Sequence, residues 1–184
     1  MILLECDNFY VVTGCSGGGK SSIIDALRAR GFPCVDEAGR TIVKEQLRIG
    51  GDGTPWQDRL KFRDLLLSRY LQLFQQVSER SLPVFFDRGI PEGIAASRMM
   101  KVPIPEHHRA AAANYRYARK VFVAPPWPEI FTVDAERRHS FEDGLAEYPF
   151  TLEAYRECGY ELVEIPKAPL AERVEFILHQ VGRC

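Results

Sequence analysis

Residues 9–22 read Phe9-Tyr10-Val11-Val12-Thr13-Gly14-Cys15-Ser16-Gly17-Gly18-Gly19-Lys20-Ser21-Ser22. An apolar run from Phe9 to Thr13 passes directly into a G-x-x-x-x-G-K-[ST] segment over Gly14 to Ser21, and an amphipathic stretch follows. The glycines allow the backbone to turn its N–H groups inward around a phosphate without side-chain clashes, and a helix starting near Lys20 adds its positive end. Gly14, Cys15, Ser16, Gly17, Gly18, Gly19 and Ser22 are therefore expected to cradle a triphosphate. Lys20 would reach its β- and γ-phosphates and Ser21 would coordinate magnesium. The plain alternative is a flexible glycine turn. From average composition, a chance match in a chain this long is on the order of one in a hundred, and the strand and helix flanks make it rarer.

Working outward, a helix from about Lys20 to Ala29 would bury Ile23, Ile24 and Leu27, with Gly31 placed to end it. A short strand is expected over Pro33 to Asp36. From Arg59 to Arg80, Phe62, Leu66, Tyr70, Leu73 and Val77 share a helix face with Leu67, Leu71 and Phe74 beside them, a stripe wide enough to be core. Val84 to Phe86 form a strand running into Asp87, Val121 to Ala124 another that stops at Pro125, and Tyr160 to Ile165 an edge strand. A last helix repeats Leu170, Val174, Ile177, Leu178 and Val181. This alternation predicts one three-layer α/β domain of the P-loop NTPase, nucleotide-kinase-like class over residues 1–184, with a five-stranded parallel sheet. Gly50 to Pro55 offers little to bury and is expected to be a mobile loop.

Composition removes several function classes. The 184 residues are 46% hydrophobic and 27% charged, with 24 basic against 25 acidic side chains and a formal charge of -1. No whole-molecule field draws such a chain to nucleic acid or anionic lipid. Six of the basic residues are Lys and the rest Arg, the planar fork that grips phosphate with paired hydrogen bonds. The five cysteines are scattered, which argues against a disulfide scaffold or zinc site. With no signal-peptide pattern and no apolar run near the ~18 residues of a membrane span, a cytoplasmic protein without membrane or nucleic-acid partners is expected.

A phosphate loop does not say how the nucleotide is used. Arg88 follows Asp87 where motor ATPases carry a water-activating Glu, Asp87-Arg88-Gly89-Ile90 misplaces the glycine of a GTPase DxxG turn, and no NKxD base-reading motif occurs. What remains is phosphoryl transfer to a small acceptor, served by carboxylates at the carboxyl ends of parallel strands. Phe85-Phe86-Asp87-Arg88-Gly89 resembles the Asp-Arg strand end of thymidylate kinase and deoxynucleoside kinases. Val35-Asp36-Glu37-Ala38-Gly39-Arg40 supplies a second carboxylate where those kinases hold the acceptor hydroxyl, and Asp134-Ala135-Glu136-Arg137-Arg138 falls where they carry a lid. Over about residues 8 to 180 the chain resembles the NadR-like AAA-type P-loop family, which includes ribosylnicotinamide kinase domains and many predicted ATPases.

The resemblance implies magnesium-dependent transfer of the ATP γ-phosphate to a hydroxyl or phosphate of a nucleoside, nucleotide or similar metabolite. In that scheme Ser21 and Asp87 hold magnesium, Glu37 or Asp87 accepts the acceptor proton, and a helical lid over about 134–147 brings Arg137 and Arg138 to the transferring phosphate. Lys167 and Ala168, in the loop Pro166 to Pro169, would pack the adenine. Arg88 would contact phosphate or pair with Asp87 or Glu37. Each role has a plainer competitor. Glu37 suits the first turn of the next helix as a dipole partner, and Arg137 and Arg138 point about 100° apart on a helix, so that one faces solvent. Trp56 is read as an anchor for its loop ahead of a ring stacked on an acceptor. The Arg- and Lys-rich stretch from Arg98 to Lys120 is read as a solvated face, with an anionic-acceptor site as the alternative. Apart from a kinase, the sequence admits a nucleotide-dependent switch module read by a partner protein, or a slow ATPase.

Overall fold

A strand buried on both faces is largely apolar, and successive side chains enter two different cores. The Phe9–Gly14 strand does this in the computed structural model of the chain, which describes residues 3–77, 81–131 and 140–182. Phe9 and Val11 join Val84, Phe86, Phe74 and Tyr155 on one side, while Val12 joins Ile23, Leu27, Phe85, Phe122 and Ile177 on the other. Each such fully buried side chain contributes roughly 1.5–3 kcal/mol over its exposed state, so the two layers hold the sheet between them.

In chain order the elements are β1 (Leu4–Glu5), β2 (Phe9–Gly14), α1 (Lys20–Ala29), β3 (Cys34–Val35), α2 (Ala38–Ile49), α3 (Arg59–Gln76), β4 (Val84–Asp87) and α4 (Glu92–Met99). There follow α5 (Glu106–Asn114), β5 (Tyr115–Arg116), β6 (Lys120–Ala124), a 3-10 turn (Pro128–Ile130), α6 (Phe141–Glu157), β7 (Glu161–Glu164) and α7 (Leu170–Gln180). Five strands form a parallel sheet in the order β3-β4-β2-β6-β7, and β1 pairs with β5 in a separate two-stranded parallel ribbon. Val12 lies opposite Asp87 and Gly14 opposite Ala124. The chain leaves β2 toward β3 on one side and finds β6 on the other, which makes the carboxyl end of β2 the switch point where parallel sheets bind ligands. No helix among the described residues is long and apolar enough to cross a membrane.

Several expectations change in detail. The strand expected over Pro33 to Asp36 narrows to Cys34–Val35, with the Pro33 carbonyl just before it accepting from the Phe85 N–H at 3.0 Å, and the helix expected to reach Arg80 ends at Gln76. The apolar stripe of α3 divides: Leu67, Tyr70 and Phe74 are buried in the core, whereas Phe62 and Leu66 are partly exposed and face a cavity. Gly50 to Pro55, expected to offer little to bury, is tied down by the Gly53 N–H donating to Gln46 Oε1 at 3.0 Å and by a fully buried Thr54. The expected start of the lid, with Asp134, Arg137 and Arg138, lies outside the described residues. After it, α6 begins at a capping box between Ser140 and Asp143 and continues to Glu157, past residue 147.

Candidate active site

The loop after β2 is shaped by close approach of backbone to backbone. Gly14 has φ +116°, and a Cβ there would stand 2.2 Å from the Ala124 carbonyl oxygen. The Cys15 N–H donates to that same oxygen at 3.0 Å, and the Gly18 N–H returns to the Cys15 carbonyl at 3.1 Å. Gly19, with φ +79°, caps α1 in a left-handed conformation. Because the first turn of a helix has no carbonyl a turn earlier to accept its N–H groups, residues 20–22 present donors into the loop. Lys20 Nζ bends back to donate to the carbonyls of Gly14 at 3.2 Å and Cys15 at 2.8 Å. Burial, and then repulsion from Arg88, lower its pKa to about 8 against the pull of Asp87, Glu37 and Glu92. An ammonium in this position gains from any phosphate that enters the loop. The Cys15 thiol is pushed up by burial, so it stays protonated and contributes shape.

Asp87 closes β4 beside the loop. Ser21 Oγ donates to its Oδ2 at 3.5 Å, while Oδ1 is buried with no hydrogen-bond partner among the described residues. Burial raises the Asp87 pKa to about 6, with Lys20 and Arg88 opposing and Glu37 and Glu92 adding to the shift. A hydroxyl and an orphaned buried carboxylate oxygen next to a phosphate loop are hard oxygen donors of the kind magnesium takes. Arg88 adopts φ +68° and spans two carboxylates, with Nε 3.5 Å from Glu37 and Nη1 3.0 Å from Glu92. Burial disfavours its charge, but Glu92 and Glu37 more than restore it and its pKa rises. Glu92 in turn accepts from the Thr13 hydroxyl at 2.5 Å and the Tyr155 hydroxyl at 3.3 Å. These bonds join β2, β4, α4 and α6 at one point.

A cavity of about 650 Å³ opens from the loop between α2, α3, α4 and α6. Its lining includes Ser16, Lys20 and Ser21 of the loop, Glu37, Arg88 and Glu92 beside them, and the apolar Trp56, Phe62, Leu66 and Met99. Phosphate donors, a pair of carboxylates bridged by an arginine, and apolar side chains thus border one continuous space.

Residues 9–173 match the AAA domain family. The chain belongs to it. No curated protein sequence matches the chain. Among solved structures, this AAA domain is similar to NadR protein in complex with NR, with a TM-score of 0.73 at 15% identity, over 97% of this chain and 52% of NadR. It therefore spans about half of NadR. Thymidylate kinase from Candida albicans aligns with a TM-score of 0.63 at 12% identity, over 96% of this chain and 92% of that one. Deoxyadenosine kinase from M. mycoides gives 0.62 at 12% identity, over 95% and 98%. These likenesses establish the fold of P-loop kinases.

Within the AAA domain, Ser16, Gly17, Gly19, Lys20, Ser21, Ser22, Glu37 and Arg88 all border the cavity, and Asp87 adjoins it through Ser21. Lys167 and Ala168 lie in the turn between β7 and α7 and are not among its lining residues. Next to that turn, Arg173 of α7 donates from Nη2 to the Gly18 carbonyl at 2.7 Å and lies over the Trp127 ring. Trp56, read as an anchor, is 40% exposed and lines the cavity. Met99 and Met100 apart, the stretch from Arg98 to Lys120 does not line it, and none of its basic side chains does. Arg98 pairs with Glu153 at 2.8 Å and with Glu157, Arg116 lies over Tyr160, and Lys120 donates to Gln180. Sequence reading missed Glu92, although a Glu four residues after Arg88 at the start of a helix is the spacing of an i,i+4 ion pair. Thr13, Tyr155 and Arg173 had no local signal.

Proposed function

We propose that this AAA domain is a magnesium-dependent small-molecule kinase, transferring the ATP γ-phosphate to a nucleoside, nucleotide or similar metabolite. One observation carries the reading: Glu37 borders the cavity with its side chain 29% exposed, while Asp87, 3% exposed, is held against Ser21 at the phosphate loop. The two carboxylates thus divide the work. The loop and Lys20 bind the triphosphate, and Ser21 with Asp87 would hold magnesium, which when bound neutralises charge on the phosphate oxygens. Glu37 takes the proton of the acceptor hydroxyl as that oxygen bonds to the γ-phosphorus. The bond to the β-phosphate oxygen breaks, leaving ADP and a phosphorylated acceptor. Arg88, fixed by Glu92, holds the Glu37 carboxylate at the border of the cavity. In the same proposal Arg137 and Arg138 belong to the lid and neutralise the transferring phosphate, Lys167 and Ala168 border the adenine, and residues 1–184 act as one domain on a free metabolite.

The test is incubation with ATP, magnesium and a pool of cell metabolites, read by mass spectrometry. A product heavier by one phosphoryl group is expected; it should vanish in Lys20→Ala and form about 10²–10⁴ times more slowly in Glu37→Gln, the usual span of general-base catalysis. Absence of any phosphorylated product, with nucleotide-dependent capture of a protein partner, would replace the kinase with a switch module.

A further inference from the structure

Three cations are buried among the described residues: Lys20, Arg63 and Arg173. Two of them have carboxylates to answer their charge. Asp87, Glu37 and Glu92 pull on Lys20, and Asp64 pairs with Arg63 at 2.9 Å. Arg173, at 3% exposed the most deeply buried of the three, has no carboxylate partner among the described residues. Its contacts are neutral. Nη2 donates to the Gly18 carbonyl at 2.7 Å, the guanidinium carbon lies 5.4 Å from the centre of the Trp127 ring, and Nε is buried with no hydrogen-bond partner among the described residues. Burial lowers the Arg173 pKa and no neighbouring charge opposes the shift, yet a guanidinium stays protonated at any physiological pH. A buried charge without an opposite charge is costly, and the cost falls when an anion binds nearby.

The place of Arg173 says which anion. It reaches from the first turn of α7 to the phosphate loop, where Gly17, Gly19 and Lys20 line the cavity but Gly18 and Arg173 do not. The guanidinium therefore stands behind the loop. Its Nη1 lies 2.6 Å from the point a Cβ of Gly19 would occupy, so the bare glycine admits it against the backbone. The Gly18–Gly19 peptide is trans, which directs its N–H opposite to its carbonyl. A cation on the Gly18 carbonyl polarises that peptide and makes the Gly19 N–H a stronger donor on the other side. From this geometry we infer that Arg173 is a positioning residue of the phosphate loop: it strengthens the Gly19 N–H for phosphate, and the bound triphosphate is the anion that answers its charge. The inference rests on reading the loop as a triphosphate site. Acting through protein and not through water, the attraction is little screened.

Two variants separate charge from bracing. Arg173→Lys keeps the charge and a donor, whereas Arg173→Gln keeps a donor alone. Each is titrated in a calorimeter with ATP and magnesium and, separately, with inorganic tripolyphosphate, and the empty proteins are unfolded in urea. Arg173→Gln is expected to bind both anions at least tenfold more weakly than the parent, and Arg173→Lys within threefold of it. The urea midpoint of empty Arg173→Gln should be no lower than that of the parent, because a weakened bond to Gly18 is offset by removal of the unopposed charge. A smaller loss in Arg173→Gln, an equal loss in Arg173→Lys, or a lowered midpoint in empty Arg173→Gln would make Arg173 a brace or a bystander and overturn the inference. The two readings fail separately. A parent that binds tripolyphosphate but not ATP, with the variants graded as expected, keeps the role of Arg173 and removes the ATP-dependent kinase. A parent that binds ATP no better than Arg173→Gln does the reverse, and one that binds neither anion removes both.

Discussion

Asp87 shows how the site holds charge against its own stability. Burial raises its pKa to about 6 from an ordinary 3.8, although Lys20 and Arg88 pull the other way. The unfolded chain therefore gives up this proton before the folded one does. Asp87 favours the folded state fully below about pH 4, and that contribution is lost as pH climbs through about 6. Asn copies the protonated shape without titrating. Asp87→Asn is accordingly expected to resist urea better than the parent at pH 7.5, by about 1–3 kcal/mol, with the two curves converging near pH 4. A variant no more stable at pH 7.5 would mean that the Lys20 and Arg88 charges more than repay the desolvation of Asp87. Arg88 was legible as a strand-end residue, with pairing to Glu37 among its readings; the other half of its bridge, to Glu92, was missed, and what fixes Glu92, Thr13 and Tyr155, comes from distant parts of the chain.

Strand β2 and the helix after it form the element on which the other parts are placed, and Gly14 is its tightest joint. An alanine there must both adopt φ +116° and enter the Ala124 carbonyl at 2.2 Å, so β2 and β6 have to part. At Gly31, φ is +87° with nothing within 4 Å of the added carbon. The Gly31→Ala cost is conformational alone, about 1–2 kcal/mol, whereas Gly14→Ala should cost at least ~2 kcal/mol more, since backbone cannot yield as a side chain does. Urea unfolding of both variants at unchanged m value measures the difference, and equal losses would show that the β2–β6 contact relaxes freely. Elements of this kind were readable in advance. The bounds of α1 follow from its caps and apolar spacing, and the strands from runs that must be apolar on both faces. Periodicity fails on α3, since Phe62 and Leu66 satisfy the same stripe as Leu67 and Phe74 whether the space they face is filled or empty. It fails equally on charge. Arg98 and Arg116, read as part of a solvated face with anion binding as the alternative, are instead occupied by α6 and Tyr160, while the cations that border the cavity come from α1, α2, α3 and the end of β4.

At the scale of the whole molecule, ligand and fold share one free energy, because the phosphate loop joins β2 to α1 and is braced from α7 through Arg173 and Gly18. A nucleotide that binds only the assembled loop must stabilise everything that assembles it. At a free concentration of 100 times its dissociation constant, such a ligand adds about 2.7 kcal/mol. For a domain of this size each kcal/mol moves the melting temperature by roughly 2–4 °C, so ATP with magnesium should raise it by about 5–11 °C. Lys20 is the buried cation that phosphate would relieve of its unfavourable surroundings. Removing it as Lys20→Ala should weaken triphosphate binding at least ~10-fold, equivalent to about 1.4 kcal/mol, and at the same ATP concentration the rise should shrink to about half or less. Differential scanning calorimetry of parent and variant, each with and without nucleotide, supplies all four numbers. If the parent does not respond to ATP, or the two proteins gain the same increment, the loop is not where the triphosphate binds.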